Sequence, residues 1–80
     1  MNKKLIINIF GWVGVALVLG GYGLVSFDRL AVHDLSYQLM NGFGALCLII
    51  ESAWRKDYPF TVLNVVWAAI AIFAILSFVF

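Results

Sequence analysis

The sequence is poor in the residues that usually carry chemistry or cross-link a small fold. It holds one cysteine, one proline and nine acidic or basic residues among 80. The lone Cys47 excludes an intrachain disulfide and a cysteine-based metal site, and we interpret it as an apolar filler. No nucleophile stands near a base, and no metal-ligand cluster or phosphate-binding glycine loop occurs. The sequence therefore predicts no enzyme, no metal and no cofactor, and the lack of a basic stripe argues against nucleic acid as a partner.

Long runs without charge are what the sequence has instead. Apolar residues form 65% of the chain and its mean hydropathy is +1.07, whereas soluble domains are roughly 45–50% apolar. A soluble domain of this size buries only about 60% of the surface that its unfolded chain exposes. The excess apolar surface must face something other than water, and a lipid bilayer is the partner that we expect.

The charged residues lie in three clusters that leave three charge-free runs, at 5–27, 35–50 and 58–80. The outer two runs exceed the about 20 residues that a helix needs to cross the hydrocarbon core. The middle run reaches that length only with its flanks, which places Asp34 and Glu51 at the two interfaces. The sequence thus predicts a single all-α domain over 1–80, an integral membrane bundle of three transmembrane helices at about 5–26, 34–53 and 59–79.

The orientation of the bundle follows from its basic residues. The first run is too long for a signal peptide, whose apolar core is usually about 7–15 residues, so we expect it to be retained. Three spans then place Lys3, Lys4, Arg55 and Lys56 on one side and leave Arg29 alone on the other. The positive-inside rule predicts a multi-pass protein of a bacterial inner membrane with a cytoplasmic N-terminus.

Three amide side chains lie inside the predicted spans, at Gln38, Asn41 and Asn64. An amide without a partner in hydrocarbon is costly, so these side chains must face protein or water. They either bond one helix to another, which composition alone favours, or line a polar pocket that binds a solute. Trp67 lies three residues after Asn64, on the same face of the helix, and either forms a wall of that pocket or packs against a neighbour.

Two ionisable residues and a glycine cluster have more than one interpretation. His33 could titrate near neutral pH. Glu51 precedes Arg55 by four residues, which predicts an interfacial ion pair, and the alternative is a carboxylate coupled to ion movement. At the outer end of helix 1 the glycines are too dense for packing alone, and we expect a bend as well: Gly20, Gly21 and Gly23.

A set of residues resembles a known family. An early Gly11, Gly44 in the middle of helix 2, the charged segment RKDYP and Asn64, five residues after Pro59, are similar to the pattern of SemiSWEET transporters in the PQ-loop superfamily. The likeness is closer still to a group of small, uncharacterised bacterial three-helix membrane proteins. It implies helices packed in the order 1-3-2 and two units in a parallel homodimer around a central path.

The same resemblance implies that Asn64 faces the path and contacts a sugar-like solute. Two family positions differ in this chain. The Pro-Gln pair at the end of helix 1 falls on Leu24 and Val25, and the pocket tryptophan of helix 2 falls near Leu48. Flexibility at the missing proline would then come from the glycines of helix 1.

Two hypotheses follow for the function. The leading one is a SemiSWEET-like homodimer that moves a small polar solute across the bilayer. Its path is lined by Asn64, Trp67 and Asn41, with helix packing or hinge positions at Gly20, Gly21, Gly23 and Gly44. The alternative is a non-transporting structural or accessory subunit of a membrane assembly, in which the amides bond the helices together.

Overall fold

The computed structural model describes residues 2–32 and 34–79, with side chains up to Phe78, and every regular element in them is an α-helix. The helices are α1 (Lys3–Ser26), α2 (Leu35–Trp54) and α3 (Tyr58–Val79). The predicted all-α fold of three helices is confirmed. Each helix begins and ends within two residues of its predicted position.

Local sequence signals mark the beginnings of α1 and α3, whereas the residue before α2 has another role. The side-chain oxygen of Asn2 accepts a hydrogen bond of 2.7 Å from the backbone N–H of Leu5 and so caps α1. Pro59 is the second residue of α3, where its missing N–H removes no intrahelical hydrogen bond. Asp34 precedes α2, but its carboxylate accepts a 2.9 Å bond from the N–H of Ala31 instead of capping the helix. Asp34 therefore shapes the loop before α2.

Both connections between helices use the same turn. After α1, the N–H of Asp28 donates to the carbonyl of Val25 and the N–H of Arg29 donates to that of Leu24. The equivalent pair of bonds follows α2 around Lys56. This is the Schellman motif, which needs a left-handed residue after the helix, and both Asp28 and Lys56 have a φ of 61°. Neither residue is glycine, so each turn carries conformational strain.

α2 is the central helix. Both α1 and α3 run antiparallel to α2 and pack on it. No Cα of α1 lies within 8 Å of a Cα of α3 in the part of the chain that the structure describes. The order is 1-2-3, so the expected 1-3-2 order is wrong for the single chain. The reason is the distribution of small and polar residues, because α2 buries seven residues on its contact faces and α3 presents only one narrow buried stripe, at Asn64, Ala68 and Ala71.

α1 crosses α2 where two glycines face one another. A Cβ atom on Gly14 would lie 2.9 Å from the carbonyl oxygen of Gly44, and one on Gly44 would lie 3.1 Å from that of Gly14. A side chain at Gly14 would therefore collide with backbone, and one at Gly44 would press on backbone and collide with the Val18 side chain, 2.7 Å away. Small residues of this kind are how membrane helices approach closely.

α1 and α3 are long and apolar enough to cross a membrane, and only 17% of the most apolar segment of each is buried in the chain. Their exposed side chains include Trp12, Leu19, Val62 and Phe73. α2, which is described over its full length, does not meet the same criterion, because Gln38, Asn41 and other polar residues interrupt it. The two outer helices thus present apolar surface, and the more polar helix lies between them.

Candidate functional site

Four polar side chains are buried among the described residues, and three of them belong to α2: Gln38, Asn41 and Ser52. With 3.6 residues per turn, these three share one face of α2 with Ala45 and Leu48. The fourth buried polar residue is Asn64 of α3. Because buried polar groups require hydrogen-bond partners, the partner of each side chain shows what it does for the fold.

The clearest polar link between two helices joins Thr61 of α3 to Ser52 of α2. The hydroxyl oxygens of Thr61 and Ser52 lie 2.8 Å apart and share a hydrogen bond. Each also lies near a backbone carbonyl oxygen, that of Asp57 at 2.9 Å for Thr61 and that of Ile49 at 3.3 Å for Ser52. Ser52 is only 1% exposed. In either direction the pair ends on a backbone carbonyl, so both hydroxyls are satisfied within the protein.

Gln38 connects α2 to the loop that precedes it. Its side-chain nitrogen donates a 2.9 Å hydrogen bond to the carbonyl oxygen of Val32. Both residues border a cavity of about 440 Å³ at the end of the molecule where α3 finishes, with Ala74, Ser77 and Phe78 on the opposite wall. His33, which the sequence analysis named as a titratable residue, lies outside the described residues.

Asn64 is enclosed between α3 and α2. It is 4% exposed, and its side-chain nitrogen donates a 2.9 Å hydrogen bond to the carbonyl oxygen of Phe60 in its own helix. Asn64 is absent from the walls of four surface cavities of about 170–440 Å³ in the described chain. The geometry of one chain therefore gives its amide a structural environment.

Trp67 does not share a cavity with Asn64. Its side chain is 40% exposed and borders a shallow apolar groove of about 170 Å³, together with Leu63, Val66 and Ile70. Although Trp67 is only three residues from Asn64, the 60° between their directions is enough to place one outside the helix contact and the other inside it.

Asn41 has a different environment from the other amides. It is 6% exposed, yet its side chain makes no hydrogen bond to another residue that the structure describes. No fully enclosed polar side-chain atom in residues 2–32 and 34–78 lacks a partner. Asn41 is therefore the buried amide whose hydrogen-bonding capacity no described residue uses.

The glycines predicted as packing or hinge positions fall into two groups. Gly44 lies at the α1–α2 crossing, and a Cβ added there would lie 2.7 Å from Val18. A Cβ at Gly20 or Gly21 would make only ordinary contacts, and one at Gly23 would meet nothing within 4 Å. α1 runs as one continuous helix through all three, so a bend at these glycines stays a prediction.

A charged cluster links α1 to the end of α2. The predicted ion pair between Glu51 and Arg55 is present, and the same guanidinium donates to the side-chain oxygen of Asn8. These three residues border a cavity of about 300 Å³ whose other walls include Trp12 and Phe60. The cavity opens between α1 and α3, at the end where α1 and α3 begin.

Sequence reasoning missed Asn8, the close approach of Gly14 to Gly44 and the Ser52–Thr61 bond. A signal for the last was available, because Ser52 and Thr61 lie three and four residues from the two ends of the loop at 55–57. In an antiparallel pair of helices, residues at nearly equal distances from the connecting turn lie side by side. Among the described residues, no group of three or more His, Cys, Asp or Glu side chains could hold a metal ion.

Comparison with known proteins assigns the chain to a family but indicates no activity. No curated protein and no solved structure matches it. The model of a protein family of unknown function matches residues 7–80, which include all of α2, α3 and most of α1. The chain therefore belongs to this family of unknown function.

Proposed function

We propose that the chain is an integral protein of the bacterial inner membrane whose three helices all cross the bilayer. Two observations support this. The outer helices expose apolar side chains over most of their length, and the molecule is 37 Å long, which suits a hydrocarbon core of ~30 Å with its interfaces. α2 crosses between them with its polar residues turned inward. The four basic residues at one end support a cytoplasmic N-terminus under the positive-inside rule.

Within the membrane, we propose that the protein is a structural or accessory subunit of a larger assembly. The observation that carries this proposal is the enclosure of Asn64, which is 4% exposed and whose amide is bonded to Phe60. An amide that serves a solute path must face that path. Gln38 likewise uses its amide on the loop before α2. Ser52 is bonded to Thr61 of α3, which is how interhelical bonding stabilises a membrane bundle.

Solute movement through a homodimer is the second candidate, and Asn41 is the observation that favours it. Its side chain has no partner among the described residues, and the residue is 6% exposed. A second copy or a polar solute would supply the missing hydrogen bond, since a buried amide without one is costly. The sequence resemblance to SemiSWEET transporters, in which two units surround a path, points to the same arrangement.

Replacing each asparagine by leucine separates the two candidates. For a structural subunit, Asn64→Leu removes the hydrogen bond to Phe60 and lowers the free energy of unfolding in detergent by about 0.5–1.5 kcal/mol. Liposomes holding the wild type then take up polar solutes no faster than empty ones. Val66→Leu, on the exposed side of α3, is the matched control and should leave stability unchanged. Solute uptake by the wild type that Asn41→Leu abolishes at unchanged stability would replace the structural proposal by the transport one.

Insertion and the number of spans are tested separately. We expect the protein to stay in the membrane pellet after alkaline carbonate washing, with a reporter at the N-terminus on the cytoplasmic side and one at the C-terminus outside. Reporters on the same side would mean an even number of crossings and would remove α2 from the bilayer. Release by carbonate would reject the membrane proposal altogether.

A further inference from the structure

We propose that the cavity of about 300 Å³ between α1 and α3 binds the phosphate headgroup of an acidic phospholipid. This inference rests on the proposed insertion in the membrane. The site lies at the end of the molecule where α1 begins and α2 finishes, so in the proposed orientation it opens at the cytoplasmic interface. Its lining has a polar part, formed by Asn8, Glu51 and Arg55, and an apolar part that includes Trp12, Val15 and Phe60.

The polar part of the cavity orients the Arg55 guanidinium and leaves some of its N–H donors unused. The Nε of Arg55 donates to Glu51 and one Nη2 hydrogen donates to Asn8. A guanidinium has five N–H donors, so most of them remain free. The Arg55 side chain is 46% exposed, whereas that of Glu51 is 18% exposed. The carboxylate therefore orients the arginine from the inner side, and the open side is left for an incoming anion.

The charge at this end favours a net negative headgroup. Lys3, Lys4, Arg55 and Lys56 stand against Glu51 and Asp57, which leaves an excess of two positive charges (four minus two). Basic pockets between transmembrane helices on the cytoplasmic side are suited to acidic lipids for this reason. A zwitterionic lipid carries its own ammonium group and gains less from the excess.

The apolar part distinguishes a lipid from a free phosphate. Trp12 is 75% exposed and Phe60 is 38% exposed, so both side chains offer surface to a hydrocarbon chain that lies in the gap between α1 and α3. That gap exists because the two helices make no contact in the described chain. An inorganic phosphate could use Arg55 but not this surface, and amphipathic aromatic rings are typical of the membrane interface.

The experiment is a titration of the purified full-length chain in detergent with phosphatidylglycerol, followed by native mass spectrometry to count bound lipids. The titration is repeated with phosphatidylcholine and with inorganic phosphate. Arg55→Gln removes the proposed ligand, and Lys56→Gln removes the same charge from the neighbouring residue, which does not line the cavity. General attraction to a basic surface gives each residue about a fivefold effect. We expect Arg55→Gln to weaken phosphatidylglycerol binding at least about tenfold more than Lys56→Gln does.

A second pair of variants leaves the charges intact in case Arg55→Gln does not fold. Val15→Phe fills the apolar part of the cavity, while Val13→Phe adds the same ring two residues away, at an exposed position of α1 outside the cavity. Only the first should reduce lipid binding. Equal effects within both pairs would overturn the site. Binding of phosphate without binding of lipid would overturn the lipid assignment, whereas failure of membrane insertion is detected independently by carbonate washing.

Discussion

The two sides of α2 hold their neighbouring helices by different means. Toward α1 the contact is backbone against backbone, at Gly14 and Gly44. Toward α3 it is built from alanines and a hydroxyl pair, with Thr61 bonded to Ser52. Lipid tails are as apolar as leucine, so burial of apolar side chains does not by itself draw helices together in a bilayer. Close approach and hydrogen bonding are the remaining sources of stability, and each side of α2 relies on one of them.

This difference predicts which of the two helix contacts is more sensitive to substitution. A glycine crossing depends on the absence of one atom, because an added methyl group at either glycine would lie under 3.0 Å from an atom of the facing helix. A hydroxyl pair can be lost without any steric change, since alanine or valine fits in the same space. Substitutions in the α1–α2 contact should therefore have larger effects than those in the α2–α3 contact.

Adding a single methyl group at the glycine crossing should have the largest effect. Gly44→Ala places a Cβ 2.7 Å from Val18 and 3.1 Å from the carbonyl oxygen of Gly14, and such overpacking costs typically about 1–3 kcal/mol. The free energy of unfolding in mixed micelles of increasing denaturing detergent measures the loss.

Gly23→Ala is the matched control for that substitution. The same methyl group meets nothing within 4 Å there, and alanine is a better helix former than glycine, so stability should stay equal or rise by up to about 1 kcal/mol. Equal losses of stability at Gly23 and Gly44 would mean that the loss does not come from close contact at the α1–α2 crossing.

The two turns should respond alike, because they are built alike. Asp28 and Lys56 both have a φ of 61°, and a residue with a side chain is strained there by about 1–2 kcal/mol. Asp28→Gly and Lys56→Gly should each raise the free energy of unfolding by about 1 kcal/mol, net of the entropy that glycine adds to the unfolded chain. Asp28→Ala and Lys56→Ala keep the strain and serve as controls; a gain of the same size in the alanine variants would rule out the backbone explanation.

The hydroxyl pair should have a smaller, measurable coupling. In a double-mutant cycle of Ser52→Ala and Thr61→Val, the interaction free energy should be about 0.6 kcal/mol, and not more than about 1.7 kcal/mol. Ser77→Ala combined with Ser52→Ala is a reference, because Ser77 bonds the carbonyl of Phe73 in its own helix and is distant from Ser52. Zero coupling between Ser52 and Thr61 would leave alanine packing as the sole basis of the α2–α3 contact.

Trp67 should matter least for stability of the bundle. Its side chain lies outside the α2–α3 contact and borders an apolar groove. Trp67→Leu keeps an apolar side chain on that surface and should change the free energy of unfolding by less than about 0.5 kcal/mol. A loss as large as that of Gly44→Ala would show that the groove is filled by another protein surface in the purified state.

The helices were predictable because their signals are local. Charge-free runs, the capping Asn2 and the helix-starting Pro59 mark the ends without reference to any neighbour. The Glu51–Arg55 pair is local as well, since its residues are one helical turn apart. The environments of the asparagines were not predictable in this way. Asn41 and Asn64 have the same side chain in similarly apolar surroundings, yet one is bonded to its own helix and the other has no partner in the described chain.

The sequence by itself determined that three helices form, that two of them are apolar enough to cross a membrane and that basic residues collect at one end. These properties depend on composition and on spacing along one helix. Only the tertiary structure decided that α2 is central, that Gly14 faces Gly44 and that Trp67 is turned away from the contact that encloses Asn64. The physical reason is that helix order depends on which pairs of surfaces approach most closely, and a rotation of some tens of degrees about a helix axis exchanges an inner residue for an outer one.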